Sequence, residues 1–161
     1  MNGLIALEPF ENDDPETSGT EFIVANDGWF PDINLKDLRD AMRLDGTVTY
    51  TRLKQAVVAG ILYVNAELQS WKNTSGDGYR NMESLPAAVI NNESILIISY
   101  RRAVYCMAKA DLIERYRDYD TTGEGNKKAE WLESSPDEQR RNAHWAIADI
   151  TRRRHLTVEL I

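Results

Sequence analysis

A stripe of apolar side chains constrains this chain more than any other feature of its sequence. Its members recur at intervals of four, four, three, four and three residues, and they are Leu53, Val57, Ile61, Val64, Leu68 and Trp71. This spacing is that of one face of an α-helix, whereas a half-buried strand alternates at every second residue. The stripe therefore predicts a helix of about five turns that buries one side in a helical core.

A shorter helix is predicted before this stripe. Asn34 is a favoured N-cap residue, and residues 45–46, Asp-Gly, form a turn that ends the helix. The apolar positions between them are Leu35, Leu38 and Met42. Thr47 or Thr49 is expected to cap the long helix that follows.

Two helices are predicted after the long one. Asn91 or Asn92 is expected to cap a third helix that runs to about Tyr119, with a first turn, residues 95–98, that is apolar on all sides and fully buried. Its later core positions are Val104, Tyr105, Ala108, Leu112, Ile113 and Tyr116.

Residues 135–138, Ser-Pro-Asp-Glu, combine a cap, a proline at the first position and an early acid, which marks a fourth helix. Residues 127–133 also have a helical pattern, either as a separate helix or before a kink.

The charge is distributed unevenly. Residues 1–28 contain seven acids and no Lys or Arg, so the other 19 acids balance the 19 basic residues of the remainder, and the net charge of −7 belongs to this segment. We predict an extended acidic arm over residues 1–28, a helical domain over 29–154 and a tail over 155–161. In the tail, Leu156, Val158 and Leu160 alternate as in a strand, and with Ile161 they are expected to dock on a partner.

The sequence contains few candidate catalytic or metal-binding residues. His144 and His155 have no Cys or carboxylate at ligand spacing, and Cys106 lies in a helix where a small buried thiol is the ordinary outcome. Residues 118–123 resemble the opening of a calcium loop, but Ala129 stands where the loop's glutamate belongs. No run of apolar residues approaches the roughly 20 that span a bilayer. We therefore expect a protein that is not an enzyme, binds no cofactor and enters no membrane.

Five arginines leave two interpretations open. Arg140 and Arg141, together with Arg152, Arg153 and Arg154, can contact DNA phosphates, as a packaging accessory protein would. Alternatively, these arginines form a solvated helix face or pair with acids of a neighbouring subunit. The second interpretation is favoured, because five arginines are few in a chain that is acidic overall.

Several short stretches resemble the head completion protein family of temperate contractile-tailed phages, usually called GpL. In order, they are WFP at 29–31, DGTVT at 45–49, YRRAVY at 100–105, ERY at 114–116, DYD at 118–120, RR at 140–141, WAI at 145–147, DI at 149–150 and TVELI at 157–161. Each stretch is unspecific by itself. Their common order and the matching length make the resemblance specific from about residue 29 onward.

The resemblance implies a structural virion protein of the phage neck, made in the host cytoplasm, that joins the portal ring after DNA packaging and stabilises the filled head. It also implies kinship with all-α head–tail connector adaptors, which form rings of about twelve neighbouring copies. The implied partners are the portal, those neighbours, a downstream neck or tail-terminator protein and, transiently, genome DNA in the channel.

Overall fold

The computed structural model describes residues 22–119 and 134–153, and within these ranges the fold is helical. The helices are α1 (Leu35–Ala41), α2 (Tyr50–Ser75), α3 (Ile95–Tyr119) and α4 (Pro136–Thr151). Two antiparallel pairs of two-residue strands accompany them, β1 (Ile23–Val24) with β2 (Ile33–Asn34) and β3 (Val89–Ile90) with β4 (Glu93–Ser94). A short 3₁₀ helix (Met82–Ser84) lies between α2 and β3. The predicted all-α architecture with four helices is confirmed.

Local capping explains where most of these helices begin. The Asn34 side chain accepts hydrogen bonds from the Lys36 and Asp37 amides of α1, and Thr49, rather than Thr47, caps α2. Ser135 accepts a 3.0 Å bond from the Glu138 amide at the start of α4, as predicted. Helix α1 ends at Ala41, before the predicted turn at residues 45–46, because Arg43 adopts a left-handed backbone with φ of 54°.

The predicted stripe of α2 forms its core face. All of its members are buried except Trp71, which is half-buried. Helix α3 packs on α2 along one side and on α4 along another, so α3 is the centre of a three-helix core. Gly60 permits close approach of α2 to α3, because a Cβ atom there would lie 3.0 Å from the backbone oxygen of Val104.

The beginning of α3 differs from the prediction. Asn91 and Asn92 do not cap the helix but form a tight turn between β3 and β4, and the helix begins at Ile95 after Ser94, whose Oγ accepts a hydrogen bond from the Leu96 amide. The expectation of a fully buried first turn is also wrong. Ile97 is buried, but Ile98 is 37% exposed, because only one side of this turn faces the core.

Residues 22–34 are held against the helices by a closed ring of hydrogen bonds. The Tyr100 hydroxyl of α3 donates to Asn65 Oδ1 of α2 at 2.6 Å, Asn65 Nδ2 donates to Asn26 Oδ1 at 2.9 Å, and Asn26 Nδ2 donates to the Tyr100 oxygen at 2.7 Å. Burial raises the pKa of Tyr100, so its hydroxyl keeps the donated proton. Part of the segment assigned to the acidic arm, residues 22–28, therefore packs with the helices.

Replacing Tyr100 with Phe is expected to lower the free energy of unfolding by about 1–3 kcal/mol, because it removes both hydrogen bonds that the hydroxyl makes with the partly buried side chains of Asn26 and Asn65. Urea denaturation of the two proteins measures this difference. Tyr79→Phe, at a 40% exposed position, is the matched control and should change the stability by less than about 0.5 kcal/mol. Equal effects of the two substitutions would show that the ring of hydrogen bonds contributes nothing specific.

Candidate docking surfaces

A small hairpin projects two large apolar side chains into solvent. Strands β3 and β4 are joined by Asn91 and Asn92, whose φ angles of 51° and 61° make the two-residue turn that matches the twist of a hairpin. Val89 and Ile90 are 63% and 62% exposed. Glu93, which pairs with Ile90 next to the turn, forms an ion pair with Arg101 of α3. Residues 89–92, which we call the hairpin tip, are thus uncharged, and the ion pair of Glu93 fixes the hairpin to α3.

A groove lies beside the base of the hairpin. Its volume is about 480 Å³, and it lies between the last turns of α2 and α4 and the first turn of α3. Its apolar lining includes Trp71, Tyr79, Leu85, Ile95, Leu96 and Ile150, and Arg152 lies on its border. The hairpin, the groove and the point where the chain leaves α4 therefore share one end of the helical core, which we call the hairpin end.

Helix α2 has a second apolar face opposite its core stripe. The outer face of α2 consists of Val58, Ala59, Leu62 and Ala66, all of which are exposed. Leu62 is 67% exposed, the highest value among the large apolar side chains described as exposed. No charged residue interrupts this face, and Gln55 and Gln69 extend it in either direction.

The structure does not bring the predicted arginines together. Arg140 pairs with Glu114 of α3 at 2.5 Å and with Asp137 at 3.5 Å, and the hydrogen bond that it donates to Glu114 raises the pKa of Arg140. The Arg141 guanidinium lies 5.0 Å from the centre of the Trp145 ring. These contacts hold both side chains at the first half of α4.

Arg152 and Arg153 lie at the other end of α4, about 18 Å away along the helix. Both are exposed, and Arg152 ends the helix with a left-handed φ of 55° while the Arg153 amide donates to the oxygen of Ala148. Arg154 and the predicted tail residues Leu156, Val158, Leu160 and Ile161 lie outside the described residues, as do His155 and residues 120–133.

Of the remaining candidates for chemistry, His144 is exposed on α4 and Cys106 lies in the core. His144 contacts the Tyr63 ring edge to face, with 6.0 Å between ring centres. Cys106 is buried, and that burial raises the pKa of its thiol, which makes it a poor nucleophile. Among residues 22–119 and 134–153, no cluster of His, Cys, Asp and Glu is arranged to hold a metal ion, and no helix has the length and apolarity to cross a membrane.

Sequence reasoning missed both exposed apolar surfaces. A signal for the hairpin was present, because two asparagines between branched apolar residues favour a two-residue turn. The outer face of α2 gave a weaker signal, since Val58 and Leu62 are four residues apart but off the longer core stripe.

Comparisons with known proteins agree on one family. The family model of the phage head completion protein (GPL) matches residues 24–161. The chain is also 40% identical over 137 residues to the head completion/stabilization protein of Escherichia phage P2, an alignment that covers 84% of this chain and 81% of that relative. No solved structure matches the chain significantly.

Proposed function

The chain belongs to the phage head completion protein family, and from that membership we propose that it docks on the portal ring of the filled head and keeps the packaged genome inside. The observation that carries this proposal is the 40% identity to a head completion/stabilization protein over most of both chains. As a head completion protein it is a virion component that works with other virion proteins. Contact with the portal, a position in the phage neck and contact with a downstream neck protein are parts of the proposal.

The hairpin end is the proposed site of attachment. Helix α4 ends there at Thr151 and is followed by Arg152 and Arg153, so we propose that the tail with Leu156, Val158, Leu160 and Ile161 acts together with the hairpin and the groove. Arg152 and Arg153 are exposed at this point and give the attachment site a basic border. Such a border favours an acidic partner surface and speeds the encounter with it.

Around the portal, neighbouring copies are proposed to form a ring of about twelve, since a symmetric template presents equivalent sites. Because the long apolar stripe of α2 is used in the core, the free chain is expected to be a monomer or to associate weakly. The acidic segment is proposed to contact basic groups of the portal or of a neighbouring copy.

A DNA-binding packaging accessory is the competing function. Five converging arginines would support it, but Arg140 is engaged by two carboxylates and lies on the far half of α4 from Arg152. Phosphate contacts produce binding that weakens steeply with salt. A shift of duplex DNA by the purified chain at micromolar concentration and physiological salt would therefore favour this function over the structural one.

The proposed function predicts that heads made without this chain fill with DNA and then lose it. Heads from a phage lacking the gene should release most of their DNA to added nuclease, and the purified full chain, added after packaging, should protect it. The double variant Arg140→Gln/Arg141→Gln should protect the DNA as well as the unchanged chain does. Heads that retain their DNA equally with and without the chain would contradict the proposal.

A further inference from the structure

We infer that neighbouring copies of the chain contact each other head to tail, with the hairpin tip of one copy packed on the outer face of α2 of the next. This inference deepens the proposed function by naming the surfaces between copies, and it rests on that function only for the ring that the contact would build. The occupant of both surfaces is a second copy of this chain.

The hairpin tip has the properties of an interface anchor. Val89 and Ile90 expose more apolar surface than a lone surface residue does, and they are adjacent on a turn that two left-handed asparagines hold. Residues 85–92 contain no charge, and the nearest acid, Glu93, is neutralised by Arg101. The centre of a protein interface is likewise depleted of charged residues.

The outer face of α2 has the complementary chemistry. It is uncharged from Gln55 to Gln69, in a chain with 28% charged residues. The small side chains of Ala59 and Ala66 flank Leu62 and leave shallow depressions beside it, and branched side chains fill such depressions. Apolar burial is the interaction that both surfaces offer.

The two surfaces do not cover each other within one copy, since Leu62 and Ile90 are each more than 60% exposed. Leu62 lies 13 residues before the end of α2, which places it about 20 Å along the helix from the hairpin end. A contact between two different patches leaves one of each patch free after every addition. It therefore continues from copy to copy and closes into a ring when the rotation permits, unlike a two-fold contact, which stops at a dimer.

Cysteine cross-linking of the purified full chain tests the pairing. Ile90→Cys and Leu62→Cys are prepared separately, mixed at high concentration and oxidised. Because a disulfide forms only when two Cα atoms approach within about 7 Å, the mixed pair should cross-link several times more than either variant alone. The double variant should form a ladder of multimers, whereas the unchanged chain, whose Cys106 is buried, should not cross-link.

Glu67→Cys is the matched control, because it is exposed on the same helix about 140° around the axis from Leu62. Equal cross-linking of Ile90→Cys with either position, or a preference of Ile90→Cys for itself, would overturn the inference. So would protection of the Leu62→Cys thiol from a thiol reagent in the dilute monomer, since that would mean that another segment of the same chain covers the face. Selective cross-linking by a chain that fails to protect packaged DNA would refute the proposed function and leave this contact standing.

Discussion

Deleting residues 156–161 is expected to abolish protection of filled heads while leaving the helices and the melting temperature nearly unchanged. The described core extends from Val24 to Ile150 and is assembled from the four helices, the segment before α1 and the connections before and after α2. Ile150, in the last turn of α4, is the last member of this core among the described residues. The deletion is therefore expected to reduce attachment to filled heads without reducing the stability of the fold.

The size of the effect follows from the number of copies. A single short tail that must become ordered on binding has a modest affinity, because the apolar burial of three side chains is offset by the conformational entropy of the segment. Tails that act together on one ring gain avidity, commonly by a factor of about 10²–10⁴. Removing every tail removes that gain, so the number of protected heads should fall by at least about 100-fold.

Circular dichroism and thermal denaturation check the fold, and the nuclease assay on filled heads checks attachment. The triple variant Leu156→Ser/Val158→Ser/Leu160→Ser should behave like the deletion, whereas Thr157→Ser/Glu159→Gln, on the other side of an extended tail, should behave like the unchanged chain. A truncated chain that protects heads normally would rule out the docking tail. A truncated chain that does not fold would show instead that the tail packs on its own helices.

Replacing Gly60 with Val is expected to produce the largest loss of stability, about 3 kcal/mol, because the core cannot accommodate the added atoms. A Cβ at this position already lies 3.0 Å from the Val104 oxygen and 3.5 Å from the Ala108 nitrogen, and both are backbone atoms of α3 that cannot rotate away. The two methyl groups of valine would force α2 and α3 apart. In a domain of this size the melting temperature should fall by about 6–12 °C.

Ala59→Val is the control that measures the effect of helix propensity without this clash, because it introduces the same side chain at the adjacent, exposed position of α2. That control should cost only about 0.5 kcal/mol, the difference between Ala and Val in a helix. Urea denaturation of both variants gives the comparison. Equal destabilisation at positions 59 and 60 would show that close approach of α2 and α3 is not required.

Local patterns in the sequence determined the helices. The stripe from Leu53 to Trp71 predicted the core face of α2, and Asn34 and Ser135 predicted two helix starts. These features could be predicted because helix periodicity and capping depend on residues within one or two turns of each other. The same local reasoning was wrong at Asn91 and Asn92, where helix capping and turn formation favour the same residue type.

Only the tertiary structure decided which surfaces are free. Leu62 and Ile61 are neighbours of nearly equal hydrophobicity, yet Ile61 is buried while Leu62 is 67% exposed, because α3 packs on one side of α2 and not on the other. Arg140 forms an ion pair with Glu114, 26 residues away. The ring of hydrogen bonds between Asn26, Asn65 and Tyr100 joins three separate segments. Such pairings depend on which distant elements pack together in the folded chain, and local sequence patterns do not contain that information.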